Sequence, residues 1–188
     1  VQIQGKVLVM NGKDTLSYID TSTWQIVSYS AISNPAAPSV TASTSLTDGT
    51  KDQVVYYAVT ANSTVGETAG STAVSVKVDT PRDNWDPAKD NCKITWTAVS
   101  GAKGYNVYVA TSTDGAGERA LHPIATGLDP GVTSFTDNGT RAIDIGRVLP
   151  NQNATAGPKA TRGAVVNGRI WLVGDPDNPY RVWFGGDY

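Results

Sequence analysis

The chain has 188 residues, 39% of them hydrophobic and 8% aromatic, a composition that supports one large or two small globular domains. Its formal net charge is -2 and it contains no basic run, so we expect no binding to nucleic acid or anionic lipid through bulk charge. No stretch approaches the roughly 18 apolar residues of a membrane span, so we expect no membrane insertion, and no cleavable signal pattern occurs.

Residues 1–35 contain short apolar segments separated by turn residues, of which Asn11-Gly12 is a strong two-residue hairpin signal. We predict a meander of three or four short strands. It ends at Pro35 and Pro38, because proline stiffens the chain and lacks a backbone donor. The chain begins at Val1 within a predicted strand, which indicates a fragment or a processed product.

The next strands are predicted at 53–61, where Val55, Tyr57 and Val59 share one face, and at 71–78, where valine alternates with polar residues. Residues 39–50 are almost entirely small or polar, so this segment predicts only a weak or edge strand.

Two further strands flank a glycine-containing break at 100–104. Their inward residues alternate with outward neighbours and are Cys92, Ile94, Trp96, Tyr105, Val107 and Val109. A short glycine break predicts a hairpin that joins antiparallel strands. We predict that Trp96 covers the core between two sheets. The only cysteine, Cys92, permits no internal disulfide and is predicted to be a small buried side chain.

These two strands resemble the fibronectin type III family, in which a hydrophobic-x-Trp strand precedes Gly-Ala-x-x-Tyr-x-Val-Tyr. The matching residues are Ile94-Thr95-Trp96 and the segment 101–108. The Tyr-Tyr strand at 56–63 and the valine strand after it resemble the last two strands of that family, yet they come before Trp96. The resemblance therefore implies an all-β, fibronectin type III-like (Ig-like) β-sandwich with rotated strand order. Two truncated sandwiches are the alternative.

The two ends of the chain repeat a pattern of glycine, a basic residue, three or four apolar residues and a polar turn, at 5–14 and 168–175. A repeated β-meander is typical of propeller blades. We predict a blade-like meander at 1–35, the sandwich at 36–142, an irregular linker at 143–160 and a blade-like hairpin at 161–188 that pairs with the first segment. Two separate flexible ends are the alternative, which would expose several aromatic side chains.

The sequence predicts no catalytic residue. His122 is the only histidine and lies in a predicted loop, so a serine hydrolase would lack an oriented base. Glu67 and Glu118 lie in hydrophilic loops, where neither provides the raised-pKa acid of a glycosidase. No phosphate-binding loop and no helix is predicted. We therefore expect no enzymatic activity and no bound cofactor.

Calcium is an alternative to that last expectation. The acidic segments 83–91 and 175–178 place several oxygen ligands close together, as calcium requires. Both lack the spacing of a helix-loop-helix calcium site, and turn chemistry is the preferred explanation of both segments.

Trp85, Tyr180 and Arg181 lie in predicted turns and form a candidate interaction surface for a sugar or a protein, since aromatic and arginine side chains dominate binding energy. The alternative is that these side chains pack between the sandwich and the flanking segments.

The flanks resemble blade segments of phage tail and virion structural proteins, in which a propeller or β-rich body carries a fibronectin-like insertion. This resemblance implies a non-enzymatic component of a virion tail, such as a nozzle, baseplate or fibre-type protein. Its partners would be copies of itself, neighbouring tail proteins, and a glycan or protein of the host surface. The alternatives are an extracellular carbohydrate-binding or adhesion module of a secreted bacterial protein, and an accessory domain of a polysaccharide-degrading enzyme.

Overall fold

The computed structural model describes residues 2–3, 6–50, 52–113, 120–167 and 169–184. Within these ranges the regular structure consists of antiparallel β-strands and two short 3-10 helices, Thr44–Leu46 and Arg82–Asn84. The strands are β1 (Gln2–Ile3), β2 (Lys6–Val9), β3 (Ser17–Asp20), β4 (Gln25–Ser28), β5 (Ser39–Ala42), β6 (Gln53–Asn62), β7 (Val74–Val78), β8 (Cys92–Thr95), β9 (Gly104–Thr113), β10 (His122–Leu128), β11 (Ser134–Asp137), β12 (Arg162–Val166), β13 (Arg169–Val173) and β14 (Trp183–Phe184). The all-β prediction is confirmed.

The chain divides into two compact units. The terminal unit comprises the described residues of Val1–Ala31, Thr64–Gly66 and Ala154–Tyr188. The central unit comprises those of Ile32–Ser63 and Glu67–Asn153.

The central unit is a β-sandwich. One sheet has the strand order β10-β9-β6-β7 and the other β11-β8-β5, and both contribute side chains to one core. Trp96 is 7% exposed, and its ring centroid lies 5.5 Å from that of Tyr105, so the prediction that Trp96 covers the core is confirmed. The weak strand predicted in 39–50 is β5, at the edge of its sheet.

The predicted hairpin between β8 and β9 is wrong. β8 pairs with β5 and β11, whereas β9 pairs with β6 and β10, so the glycine break carries the chain from one sheet to the other. Two features fix this crossing. Gly101 has a φ of 81°, which favours glycine, and the Val99 N–H donates to the Tyr105 hydroxyl at 2.8 Å.

The larger sheet of the sandwich is buried on both faces. The side of β6 and β9 away from the main core carries Ala58, Tyr108 and Ala110, which form a second apolar cluster with Leu121. Leu149 packs on this cluster, and its N–H donates to the Leu121 carbonyl at 2.8 Å. The irregular segment around Leu149 therefore buries its apolar side chain on this sheet.

In the terminal unit, the first and last parts of the chain share one core. The sheets β1-β2-β3-β4 and β12-β13-β14 are separate, and the first confirms the predicted meander. Their common core is formed by Leu8, Leu16, Ala160, Ile170 and Leu172, with Met10, Tyr18, Tyr29 and Trp183 packed against it.

Close approach of the backbone joins the two parts of this unit. The Gly12 N–H donates to the Ala160 carbonyl at 3.1 Å. Gly12 has a φ of 71°, and a Cβ there would lie 2.4 Å from the Cγ2 atom of Thr161. Both the backbone conformation and the available space therefore require glycine at this turn.

Candidate interaction surface

The described residues contain no group of three or more His, Cys, Asp or Glu side chains that could hold a metal ion. The His122 Nδ1 atom lies 2.5 Å from the Arg147 carbonyl oxygen. Because a carbonyl oxygen can only accept, the hydrogen-bond donor is the Nδ1–H group of His122. Glu67, predicted in a hydrophilic loop, accepts hydrogen bonds from Thr60, Asn106 and Tyr108 on the face of β6 and β9. Glu118 lies outside the described residues.

Trp85 does not lie on the surface, so its assignment to the interaction surface was wrong. The side chain is 6% exposed and belongs to the core of the central unit. Its indole N–H donates to the Thr80 carbonyl at 2.9 Å. The neighbouring aspartates and Pro87 indicate a turn, but the ring points inward from that turn.

Tyr180 and Arg181 are both exposed, in the loop between β13 and β14 of the terminal unit. Tyr180 is fully exposed. The Arg181 guanidinium lies over the Trp183 ring, 5.0 Å from its centroid. Residues 177–182 line an open depression of about 590 Å³. We call it the 177–182 depression.

Hydrogen bonds of Asp175 shape this loop. The Asp175 carboxylate is buried and accepts the Asp177 N–H at 3.0 Å and the Asn178 side-chain amide at 3.5 Å. Asp177 in turn pairs with Lys159 at 2.7 Å, and this hydrogen bond raises the pKa of Lys159. The ion pair therefore balances the negative charge of Asp177 at the rim of the depression.

Carboxylates of the other acidic segment, residues 83–91, also make contacts within a turn. Asp86 accepts the Ala88 N–H, which lowers the pKa of the carboxyl, and pairs with Lys89 at 3.3 Å. Asp90 accepts the Asp86 N–H at 2.8 Å. Calcium binding at these two segments stays the alternative hypothesis. Because turn contacts occupy these carboxylates, we expect a titration with millimolar calcium to give no heat and no rise in Tm.

Exposed apolar side chains concentrate in the terminal unit. Among the described residues, twelve large hydrophobic side chains are exposed, and all but Ile145 and Val148 belong to this unit. Ile26 is 68% exposed and Trp24 76% exposed. Exposed apolar side chains gathered on one unit are typical of a surface that another protein segment covers.

The face of the β2-β3-β4 sheet that is directed away from the shared core also carries apolar side chains, of which Ile26 is exposed and Val7 and Ile19 are half-buried. Val7, Ile19 and Ile26 are direct neighbours across β2, β3 and β4 and form an apolar row. The alternate residues Leu8 and Tyr18 face the shared core. We call the first set the Val7–Ile19–Ile26 row. Because strand side chains alternate, this sheet is apolar on both faces.

The second sheet of the terminal unit has the same property. Ile170 and Leu172 of β13 are buried in the shared core. Trp171 and Val173, which point to the opposite face, are each 38% exposed. Each sheet thus has one apolar face in the core and one directed away from it.

Trp24 combines exposure with an unusual backbone. Its φ is 55°, a conformation rare for a large side chain. The turn is closed by the Trp24 N–H, which donates to the Asp20 carbonyl at 2.7 Å. The Ser22 hydroxyl donates to the Asp20 carboxylate and, with the Ser22 N–H, lowers its pKa. The turn thus holds an exposed indole in a strained conformation, as functional contact residues often are.

Sequence reasoning missed a buried polar network in the central unit. The Arg82 guanidinium donates two hydrogen bonds of 2.8 Å to Asp137, and the Tyr57 hydroxyl donates to the same carboxylate at 2.8 Å. The Arg82 and Asp137 side chains are 2% and 0% exposed. Since Tyr57 belongs to one sheet and Asp137 to the other, the network joins the two sheets. No local signal marks partners that are 55 residues apart.

The thiol of Cys92 lies beside this network and reports on the packing of the central unit. Burial raises its pKa from 9.0 to about 12. We expect 5,5′-dithiobis(2-nitrobenzoic acid) at pH 8 to label the native thiol at least about a thousandfold more slowly than the urea-unfolded thiol, because reaction requires opening. Equal labelling rates of the native and the unfolded thiol would contradict this burial.

The raised pKa also makes stability depend on pH. Since the pKa of the Cys92 thiol is higher in the folded state, its contribution to stability is complete below pH 9 and is lost as the pH rises towards 12.

No family model matches the chain, and no curated protein matches it. Among the described residues, no helix has the length and apolar character needed to cross a membrane.

Proposed function

We propose that the chain is a non-enzymatic structural component of a virion tail, without a cofactor. In this proposal the terminal unit supplies two blade-like sheets to a larger β-rich body. The central unit is a fibronectin type III-like sandwich that acts as a spacer or interaction domain. The partners are further copies of this chain and neighbouring tail proteins.

The observation that carries the proposal is the pair of apolar outer faces on the terminal unit. The Val7–Ile19–Ile26 row and the outward side chains of β13 are arranged as in a sheet that lies between two others. A propeller blade has this arrangement, because each blade packs against a neighbour on either side. A contiguous apolar face of this kind is typical of an interaction surface.

Strand pairing supports the fibronectin type III-like part of the proposal. β8 and β9, which carry the resemblance, lie inside their sheets and not at the edges. β6, the Tyr-Tyr strand, pairs with β9 over ten residues although it precedes β9 in the chain. This order of pairing is consistent with a rotated strand order. Placement in a phage tail rests on the resemblance of the flanking segments.

Self-association tests the proposed role of the outer faces. We expect the chain to associate in a concentration-dependent way in sedimentation velocity, and Ile26→Lys to weaken the association at least about tenfold, because it places a charge in an apolar contact. Ile145→Lys is the matched control, since Ile145 is 80% exposed in the central unit. Identical sedimentation of the wild type and Ile26→Lys, or an equal effect of the control, would refute this role.

The second candidate is a carbohydrate-binding or adhesion module of a secreted protein. The observation in its favour is the exposed ring of Tyr180 beside the Arg181 and Trp183 stack. It predicts glycan binding by a monomer, whereas the structural role predicts association between chains.

A further inference from the structure

We propose that the 177–182 depression binds a sugar that carries a carboxylate group, such as a uronic acid residue within a polysaccharide. This binding goes beyond the structural role, because the depression does not involve the Val7–Ile19–Ile26 row. Three observations carry it: the charge of the lining, the contacts that orient Arg181, and the exposed ring beside it.

The charge of the lining favours an anion. The two ionic side chains that line the depression are Asp177 and Arg181. Asp177 pairs with Lys159 at 2.7 Å, whereas no ion pair joins Arg181 to a carboxylate of the described residues. Within the described residues, the positive charge of Arg181 therefore has no carboxylate partner. A guanidinium group matches the planar shape of a carboxylate with two parallel hydrogen bonds.

Two contacts orient Arg181 in the absence of a ligand. The Arg181 guanidinium stacks on the Trp183 ring. The Arg181 backbone N–H donates to the Asn178 carbonyl at 3.0 Å. Asn178 is itself held by the Asp175 carbonyl, which accepts the Asn178 N–H at 3.1 Å. A side chain ordered in advance loses less conformational entropy when it binds.

Tyr180 supplies an apolar surface for the sugar ring. Its side chain is fully exposed beside Arg181. An aromatic ring that is apolar on its face and polar at its hydroxyl suits a ligand with both C–H and O–H groups. The depression is open to solvent and has a volume of about 590 Å³.

Isothermal titration with trigalacturonate tests the proposal, and neutral galactotriose is the paired control. We expect the acidic trisaccharide to bind with a Kd at or below about 1 mM and the neutral one to bind at least about tenfold more weakly. Binding of the acidic ligand should weaken as salt is added, because an exposed ion pair is screened. Equal affinity for the two sugars, or no binding of the acidic one, would overturn the proposal.

Substitutions locate the site. Arg181→Gln should weaken trigalacturonate binding at least about tenfold, and Tyr180→Ala about three- to tenfold. Arg162→Gln is the matched control, because it removes the same charge from an exposed side chain of β12 and should leave the affinity unchanged. Unchanged Tm values establish that the variants are folded. Full affinity in Arg181→Gln, or an equal loss in Arg162→Gln, would show that the ligand binds through general charge or at another place.

Discussion

Asp137→Ala is expected to lower the free energy of unfolding of the central unit by about 3–5 kcal/mol in urea titrations. The substitution leaves the Arg82 guanidinium, 2% exposed, without the carboxylate that accepts its two hydrogen bonds. It also removes the acceptor of the Tyr57 hydroxyl and of the Gly139 N–H. An unpaired buried charge costs far more than the pair contributes.

The matched control is Asp177→Ala, which breaks an ion pair whose side chains are 39% and 62% exposed. We expect it to change stability by less than about 1 kcal/mol. The double substitution Arg82→Met with Asp137→Leu removes both buried charges and should recover part of the stability, while the Tyr57 hydroxyl and the Gly139 N–H still lose their acceptor. An Asp137→Ala protein within about 1 kcal/mol of the wild type would contradict the proposed importance of the network.

Trp85→Ala is the second substitution with a large expected effect, a loss of about 3–5 kcal/mol, because the indole is 6% exposed and fills part of the central core. Trp24→Ala removes the same side chain from a position that is 76% exposed and should change stability by no more than about 0.5 kcal/mol. Urea unfolding measures both. Equal effects of the two substitutions would contradict the different burial of these tryptophans.

The sequence predicted the strands whose pattern is local. β2, β3 and β4 alternate or carry clear turn residues, and the inward position of Trp96 follows from the period of two. The partners of a strand are not a local property. The crossing from β8 to β9 contains glycine, as a hairpin would, and only the pairing of β8 with β11 and of β9 with β6 distinguishes the two.

The candidate surface was predictable to a similar extent. Tyr180 and Arg181 follow two prolines and aspartates, so their exposure could be expected from turn chemistry. Trp85 also lies among aspartates and next to a proline-containing turn, yet its ring is buried. Whether a side chain in a turn points into the core depends on where the neighbouring sheets lie, which the local sequence does not show. The stack of Arg181 on Trp183 likewise depends on where β14 pairs with β13.

The outer faces of the terminal unit were not predictable from single strands. Val7 and Leu8 are both apolar, and only the packing of Leu8 with Ile170 distinguishes the core face from the outer face. The register of Val7, Ile19 and Ile26 then shows that the remaining apolar residues form a continuous row. A surface of this kind emerges only when three strands are aligned.

The central claim is that the first and last parts of the chain share one core, which makes their outer faces available for further sheets. Met10 is the only methionine, so a methyl-labelled sample gives one unambiguous signal. Its terminal methyl carbon lies 3.2 Å from the place a Cβ on Gly163 would occupy. Nuclear Overhauser effects from this methyl group to the α-protons of Gly163 and the methyl groups of Leu172 are the expected result. Contacts from Met10 confined to β2 and β3 would contradict the claim.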